Sequence, residues 1–438
     1  MAPLPLPHRP LLWLAAGWLL LGIATVLAPA LLVTWQGFGL FAFCLAVGDA
    51  AATYRQRGRL SVVREIAHTL PVGTWQTVGL KLSTGKPVAG WLNDRHPAAF
   101  QSEGLPLFFD LGDDAWLRAS YRLHLTERGR QAFPALDVRL RSPLRLWLLP
   151  ETLAVSDEVR VFPDFARITQ YTLLATDNRL AQMGVLHRRR RGEGQEFHQL
   201  RDYRQEDPPR SIDWKATARL GRLIAREYQD ERDQQIVFLI DCSSRMRAKD
   251  GDLSHFDHTL NALLLLAYVA LHQGDAVGFS TFGNDAPRHL PPRKSIATVN
   301  RLLNAVYDLQ PSLHSPDYLL AAEQLMKRLS KRSFIVLVSN LRDEDDDTLG
   351  PAMALLGRRH AVTVASLREA VLDDVLAAPV EDFDGALTRS AALQYAAARR
   401  RQAAMIRHGG VQIVETTPHQ LPVVLINHYW QRKRAGSL

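Results

Sequence analysis

From Pro10 to Gly48 the chain carries no charged residue. A helix needs about twenty predominantly apolar residues to cross a bilayer, so this run suffices for two passes. Pro29, within Leu27–Ala30, interrupts it, because proline cannot continue a helix without forfeiting a hydrogen bond. The pattern predicts two membrane helices, Leu11–Leu27 and Leu31–Ala51, joined by a tight turn. Ala28-Pro29-Ala30 also offers the small residues of a signal-peptide cleavage site. Against cleavage, the second apolar run follows at once, and only His8 and Arg9 supply a basic flank. Arg9 precedes the hairpin while Arg55, Arg57, Arg59 and Arg64 follow it, so the positive-inside bias places both ends, and the body, in the cytoplasm.

Beyond the hairpin the periodicity changes twice. Thr77–Thr84, Ala119–Glu127 and Ala135–Ser142 alternate apolar and polar residues, the pattern of half-buried strands, and Gly/Pro/Asp clusters punctuate them as turns. Several such strands over about a hundred residues predict a β-sandwich-like domain. From Gln234 onward, near-continuous apolar strands (Gln234–Asp241, Ala276–Phe282, Ser333–Asn340, Ala361–Leu367, Val411–Thr416) alternate with helical segments (Leu260–Leu271, Ile296–Leu309, Asp317–Leu329, Ala391–His408). That alternation predicts a parallel sheet buried on both faces, with Asp241 and Asn340 at the carboxyl edge where such sheets bind ligands. The expected organisation is a membrane hairpin over 1–59, a β-rich domain over 60–165, a joining segment over 166–230 and an α/β domain over 231–438.

Composition narrows the functional classes only slightly. The chain has 438 residues and a net charge of +8, but the cations are spread along it. No nucleic-acid motif or aromatic platform accompanies them, so no nucleic-acid partner is expected. Two cysteines exclude a disulfide framework. His187–Arg191 is a basic run that reads as a solvated loop or a contact for anionic headgroups. The Thr84–Pro87 stretch mimics a phosphate loop, but Gly79 lies one residue too far from Gly85, and Pro87 stands where Ser or Thr would coordinate magnesium. Neither a zinc-protease motif nor a nucleophile elbow occurs, and no enzymatic activity is expected.

Gly192–Glu231 carries the most specific pattern: Gly194, Glu196-Phe197, Leu200-Arg201-Asp202-Tyr203, Ile212-Asp213-Trp214-Lys215 and Glu227-Tyr228. It resembles the signature of the bacterial family known as domain of unknown function 58. Arg128–Phe133, His360–Glu369 and the C-terminal stretch from Leu425 extend the resemblance over nearly the whole chain. The resemblance implies that the α/β domain is von Willebrand factor A-like, on an inner-membrane protein whose soluble body faces the cytoplasm. It implies no catalytic role, and a partnership with a MoxR-type AAA+ ATPase in chaperone-like or envelope-stress roles. A metal-dependent hydrolase built on Asp241, and an envelope scaffold binding through the β-rich domain, are the competing readings.

Two sets of candidate residues follow. Within Ile212–Arg219, Asp213, Trp214, Lys215 and Arg219 either face a partner or hold the joint between domains, with Trp214 as a core plug and Asp213 capping a turn. At the sheet edge, A-like domains with an intact cation site use an Asp-x-Ser-x-Ser loop, a Thr from a second loop and an Asp from a third. Here Asp241 and Ser243 match, Arg245 replaces the second Ser, Ser315 or Asp317 stands in the second loop, and Asn340 takes the place of the Asp. Magnesium favours hard carboxylate oxygens, so the set predicts a degenerate site in which the Arg245 guanidinium reaches Asp241, with weak Mg2+ binding through Asp241, Ser243 and Asp317 as the alternative. The acidic stretch Arg342–Asp347 reads as a loop, with Asp347 or Thr348 capping a helix near Leu349.

The arginine asymmetry has a direct consequence. Protease added outside intact spheroplasts should leave everything after Arg55 uncut, and digestion from that side would reverse the topology.

Overall fold

The computed structural model describes residues 4–112, 116–164, 196–204, 207, 209–229, 234–342, 346–408 and 411–436. They form two compact units, 1–162 and 163–438. His187–Arg191 and residues 343–345 of the acidic stretch lie outside the described residues.

The first unit opens with strand β1 (Leu6–Pro7) and two apolar helices, α1 (Arg9–Leu27) and α2 (Leu32–Tyr54), with a 3-10 turn at Pro29–Leu31 between them. Both helices are long and apolar enough to cross a membrane. None of α1 is buried, and in α2 only Ala46, Asp49 and Thr53 are. The helices pack through paired tryptophans: Trp18 and Trp35 stack at 5.2 Å, and Trp35 Nε1 donates to the Trp18 carbonyl at 3.1 Å. Gly22 and Gly39 make room for these rings, since a Cβ on either would lie 2.8 or 2.5 Å from an indole nitrogen.

Eleven short strands follow: β2 (Ser61–Glu65), β3 (Thr69–Pro71), β4 (Trp75–Ser83), β5 (Val88–Asp94), β6 (Gln101–Glu103), β7 (Leu107–Leu111), β8 (Trp116–His124), β9 (Gly129–Phe133), β10 (Leu136–Arg141), β11 (Trp147–Leu153) and β12 (Asp157–Phe162). They form sheets ordered β1-β11-β10-β5-β7, β2-β4-β8-β6 and β3-β12-β9. Alternate side chains such as Val78, Leu80 and Leu82 of β4, and Leu136, Val138 and Leu140 of β10, are buried, as the period-two pattern predicts. Between the sheets lies a charged node. Arg64 of β2 forks onto both Asp94 oxygens of β5 at 2.9 and 2.7 Å, Tyr121 of β8 donates to Asp94 at 2.7 Å, and neither charged side chain is exposed. The helical hairpin is tied to this body. Asp49 of α2 accepts from the Leu144 and Leu146 amides at 2.9 and 3.3 Å, and Trp147 Nε1 donates to the Ala46 carbonyl at 2.8 Å.

The second unit begins with a hairpin, β13 (Glu196–Asp202) and β14 (Ile224–Gln229), which brackets helix α3 (Trp214–Leu220). The α/β domain follows. Its elements are β15 (Gln235–Asp241), the small pair β16 (Lys249–Asp250) and β17 (Leu253–Ser254), α4 (His255–His272), β18 (Ala276–Phe282), β19 (His289–Arg293), α5 (Ala297–Val306) and α6 (Tyr318–Arg328). After them come β20 (Phe334–Ser339), α7 (Asp346–Gly357), β21 (Ala361–Leu367), α8 (Ala370–Ala377), α9 (Phe383–His408), β22 (Gln412–Thr416) and α10 (Leu421–Arg434). The large sheet is ordered β19-β18-β15-β20-β21-β22. All its pairings are parallel except β18 with β19. Ile236, Phe238 and Ile240 pack into one core with α4, α5 and α10. Val237 and Leu239 pack into the other with α6 and α7, which is why the strands read as unbroken apolar runs.

Several boundaries differ from expectation, each for a local reason. Strand β19 carries Pro291 and Pro292, which suppress any strand signal and fit only its place at the sheet edge. Helix α7 starts at Asp346, so Asp347 and Thr348 lie inside its first turn instead of capping it. Helix α10 docks through a buried polar set, with Tyr429 and Lys433 donating to Asp275 at 2.6 and 2.7 Å.

Replacing Asp94 with Ala should destabilise the full chain by about 3–5 kcal/mol in urea unfolding, because Arg64 would stay buried with its main partner gone. Replacing Asp137, whose pair with Arg95 is half-exposed, should cost about 1 kcal/mol or less. Equal effects would refute a dominant role for the buried node.

Candidate functional site

Order in the sheet defines where a ligand can lodge. Strands β15 and β20 are neighbours, and the chain leaves them toward opposite sides, so their carboxyl ends flank the switch point of the doubly wound sheet. Asp241 closes β15 and is fully buried. The chain turns sharply after it: Ser243 N–H donates back to Asp241 Oδ1 at 2.8 Å. Gly283, after β18, is pressed against this turn with φ of 75°, and a Cβ there would sit 3.0 Å from the Ser243 nitrogen. Only glycine meets both demands.

Asp241 is held by protein donors on both oxygens. The Ser339 hydroxyl at the end of β20 donates to Oδ2 at 2.5 Å, and Tyr318 in turn bonds the Ser339 hydroxyl at 2.9 Å. Burial pushes the Asp241 carboxyl above the usual range, opposed by the Ser339 hydroxyl, the Ser243 backbone and the nearby Arg245 charge. Arg245 is 9% exposed. It acts on Asp241 through its charge, whereas the hydrogen bonds to Asp241 come from Ser339 and Ser243.

A different arginine, unforeseen in the sequence, dominates the edge. Arg399 of α9 donates to Asn340 Oδ1 at 2.8 Å, to Ser366 Oγ at 2.8 Å and to the Leu367 carbonyl at 2.6 Å. Asn340 Nδ2 donates to Glu369 Oε1 at 2.6 Å, and Glu369 lies 3.8 Å from Arg399. The amide suits this position because it accepts from a guanidinium and donates to a carboxylate at once, which an ionised Asp cannot do. Asp317 is likewise committed: it caps α6, accepting from Leu320 N–H at 2.9 Å. Ser315 and Asp317 line a cleft of about 230 Å³ with Phe282, Gly283, Asp285 and His314, beside the turn after β15. Among the described residues, no group of three or more His, Cys, Asp or Glu side chains is placed to hold a metal ion. Nearby His255 is fully buried with no hydrogen-bond partner on either ring nitrogen. Burial holds its pKa below the usual value, against the pull of Glu369 and Asp250.

The other candidate set lies on the β13–α3–β14 module. Asp213 caps α3 through the Lys215 and Ala216 amides, both at 3.0 Å, and pairs with Arg226 at 2.8 Å. Arg226 holds the Asp213 carboxyl below the usual range. Arg201 forks onto Asp207 at 2.7 Å through both nitrogens, and Tyr203 donates to the Asp207 carbonyl at 2.9 Å. These residues lock the module internally. Trp214 departs from the expected core plug: it is 68% exposed, because it opens the helix whose cap directs Asp213 inward. Lys215 and Arg219 are exposed as well. The sheet-edge residues bond across neighbouring strands and α9, and Asp213 bonds within the β13–α3–β14 module.

Residues 199–411 match the family described as "Protein of unknown function DUF58". No curated protein matches the chain. Among solved structures, the chain is similar to a conserved hypothetical protein BatB from Bacteroides thetaiotaomicron, at 13% identity and a TM-score of 0.31, over 46% of this chain and 99% of that one. An aerotolerance-related membrane protein from Bacteroides fragilis gives 13% identity and a TM-score of 0.30 over 46% and 99%. The SpRpn10 VWA domain gives 15% and 0.29 over 44% and 93%.

Calorimetric titration with magnesium or manganese should give no binding heat for the wild-type chain. The Arg245→Ser, Asn340→Asp double variant should give none either, since Arg399 would pair with the new carboxylate. Micromolar binding that vanishes in Asp241→Ala would overturn this.

Proposed function

We propose that this chain, which belongs to the DUF58 family through residues 199–411, is a membrane-anchored protein-binding module with a von Willebrand factor A-like domain. Its body faces the cytoplasm from the bacterial inner membrane, and its partner is a MoxR-type AAA+ ATPase. The orientation rests on the arginines that follow the hairpin, and the class of partner on the family resemblance.

The observation that carries a binding role is the exposure of Trp214. It stands 68% exposed on a module with Leu200, Leu220 and Leu223 also 45–51% exposed. Large aromatics at interface centres supply much of the energy of protein association. Module residues that make internal bonds, Arg201, Asp207 and Asp213, hold a rigid frame around that tryptophan. The carboxyl edge of the sheet supports a role other than catalysis. Asp241 spends its oxygens on Ser339 and Ser243, and Asn340 is shared between Arg399 and Glu369. These commitments favour a reading without a resident divalent cation.

Trp214→Ala should leave the melting temperature of the detergent-solubilised chain unchanged and weaken retention of the purified ATPase about thirtyfold, the loss typical of an interface hot spot. Unaltered retention would remove Trp214 from the interface. Failure of the wild-type chain to bind the ATPase would remove the partner.

A further inference from the structure

Within the first unit, a cavity of about 540 Å³ opens where α2 meets the β-rich body. Such a volume falls within the range of about 300–1,000 Å³ usual for small-ligand sites. Five cationic side chains line it, Arg55, Arg59, Lys86, Arg141 and Arg145, against one carboxylate, Asp110. Asp110 lies 3.7 Å from Arg141, whose guanidinium also covers the Phe108 ring. Among the described residues, no carboxylate lies within ion-pair distance of the other four cations. Like charges converging without counter-charge repel one another, so the arrangement favours a bound anion.

The frame around the cations is built and not merely crowded. Arg145 is the one non-glycine residue with positive φ among the described residues, at 63°. It is held there by the flanking amides of Leu144 and Leu146 on Asp49 and by His8, whose Nδ1 lies 2.9 Å from the Arg145 carbonyl. Gln56, also lining the cavity, has a buried carboxamide oxygen with no hydrogen-bond partner. That oxygen is an acceptor waiting for a hydroxyl or ammonium donor. Guanidinium forks match phosphate oxygens in geometry.

Position selects the source of the phosphate. Arg55 directly follows the last residue of α2, Tyr54, and the 23 residues of that helix span about 34 Å, the thickness of a hydrocarbon core with a small excess. The cavity therefore sits at headgroup depth on the side of the membrane that holds the body. We propose that it binds the phosphate-bearing headgroup of an anionic lipid through its arginines and Lys86. The proposal rests on α2 spanning a bilayer and is independent of any protein partner. Lys86, in the turn that mimics a phosphate loop, contributes as a point charge on phosphate without the loop's backbone cradle.

The test uses the full chain, delipidated in detergent and titrated with phosphatidylglycerol or phosphatidylcholine, with bound lipid counted by native mass spectrometry. Wild type should retain phosphatidylglycerol preferentially. Arg57 is exposed at the same helix end but does not line the cavity, so R57Q should behave like wild type. The triple variant R55Q/R59Q/K86Q should lose tenfold or more in phosphatidylglycerol retention, given about fivefold per cation near a membrane surface. R55K/R59K, which keeps the charge, should retain most of the preference. No preference in wild type, or an equal loss in R57Q, would overturn the site. Inorganic pyrophosphate serves as the soluble arm: binding that the triple variant abolishes, without any preference for phosphatidylglycerol, would overturn the lipid assignment in favour of a soluble phosphate compound.

Discussion

A guanidinium held above the ends of two parallel strands governs what the α/β sheet can offer. Arg399 has to satisfy its donors in a place almost without water, and it does so on Asn340, Ser366 and the Leu367 carbonyl, with Glu369 nearby. Burying such a cation is tolerable only when its hydrogen bonds and counter-charge are all in place. Everything at the carboxyl edge is arranged around that demand. Asn340 must be an amide to bridge Arg399 and Glu369. Asp241, one strand away, is left to find donors of its own and takes them from Ser339 and the Ser243 amide. These side chains bond one another at the edge that such sheets use for ligands.

The first unit solves an analogous problem twice. Between its sheets, Arg64 is neutralised by Asp94 and Asp157, with Tyr121 also on Asp94, which permits buried charge in a mainly apolar interior. Where the apolar helical hairpin meets the body, Asp49 is the anion, and the backbone amides of one turn are its donors. An aspartate so near the end of an apolar helix is costly in lipid, and here it is turned inward, 3% exposed, and fully engaged. The consequence is a fixed joint of helix and β-rich body, and beside it lies the cationic cavity.

In the second unit, the signature segment gains a physical explanation. Its arginine, tyrosine and aspartate bond one another inside a small hairpin-and-helix module, so the pattern preserves a shape. Trp214 is the exception, a large apolar side chain that this shape presents to solvent. The same stretch of sequence therefore combines two roles, one set of residues building the frame and one standing outside it.

By itself the sequence determined the elements whose signal is local. An uncharged run with one internal proline specifies a helical pair, alternation specifies the strands of the β-rich body, and unbroken Val/Ile/Leu runs specify strands covered on both faces. It also located Asp241, Ser243 and Asn340 at the end of their strands, because strand ends are visible where apolar residues stop. What only the tertiary structure decided is which distant side chains those residues meet. Arg399 lies 59 residues from Asn340 on a helix with many arginines, and nothing in its spacing separates it from Arg400 or Arg401. Arg245 has the closer sequence position, yet the hydrogen bonds at the edge went to Ser339, at the end of β20, and to Arg399. Trp214 posed the same difficulty in reverse: burial of a tryptophan is the default for an apolar ring, and only the direction in which Asp213 caps its helix turned that ring outward. Local periodicity is written in neighbouring residues, whereas the pairing of buried charges is settled by which helix packs over which strand end.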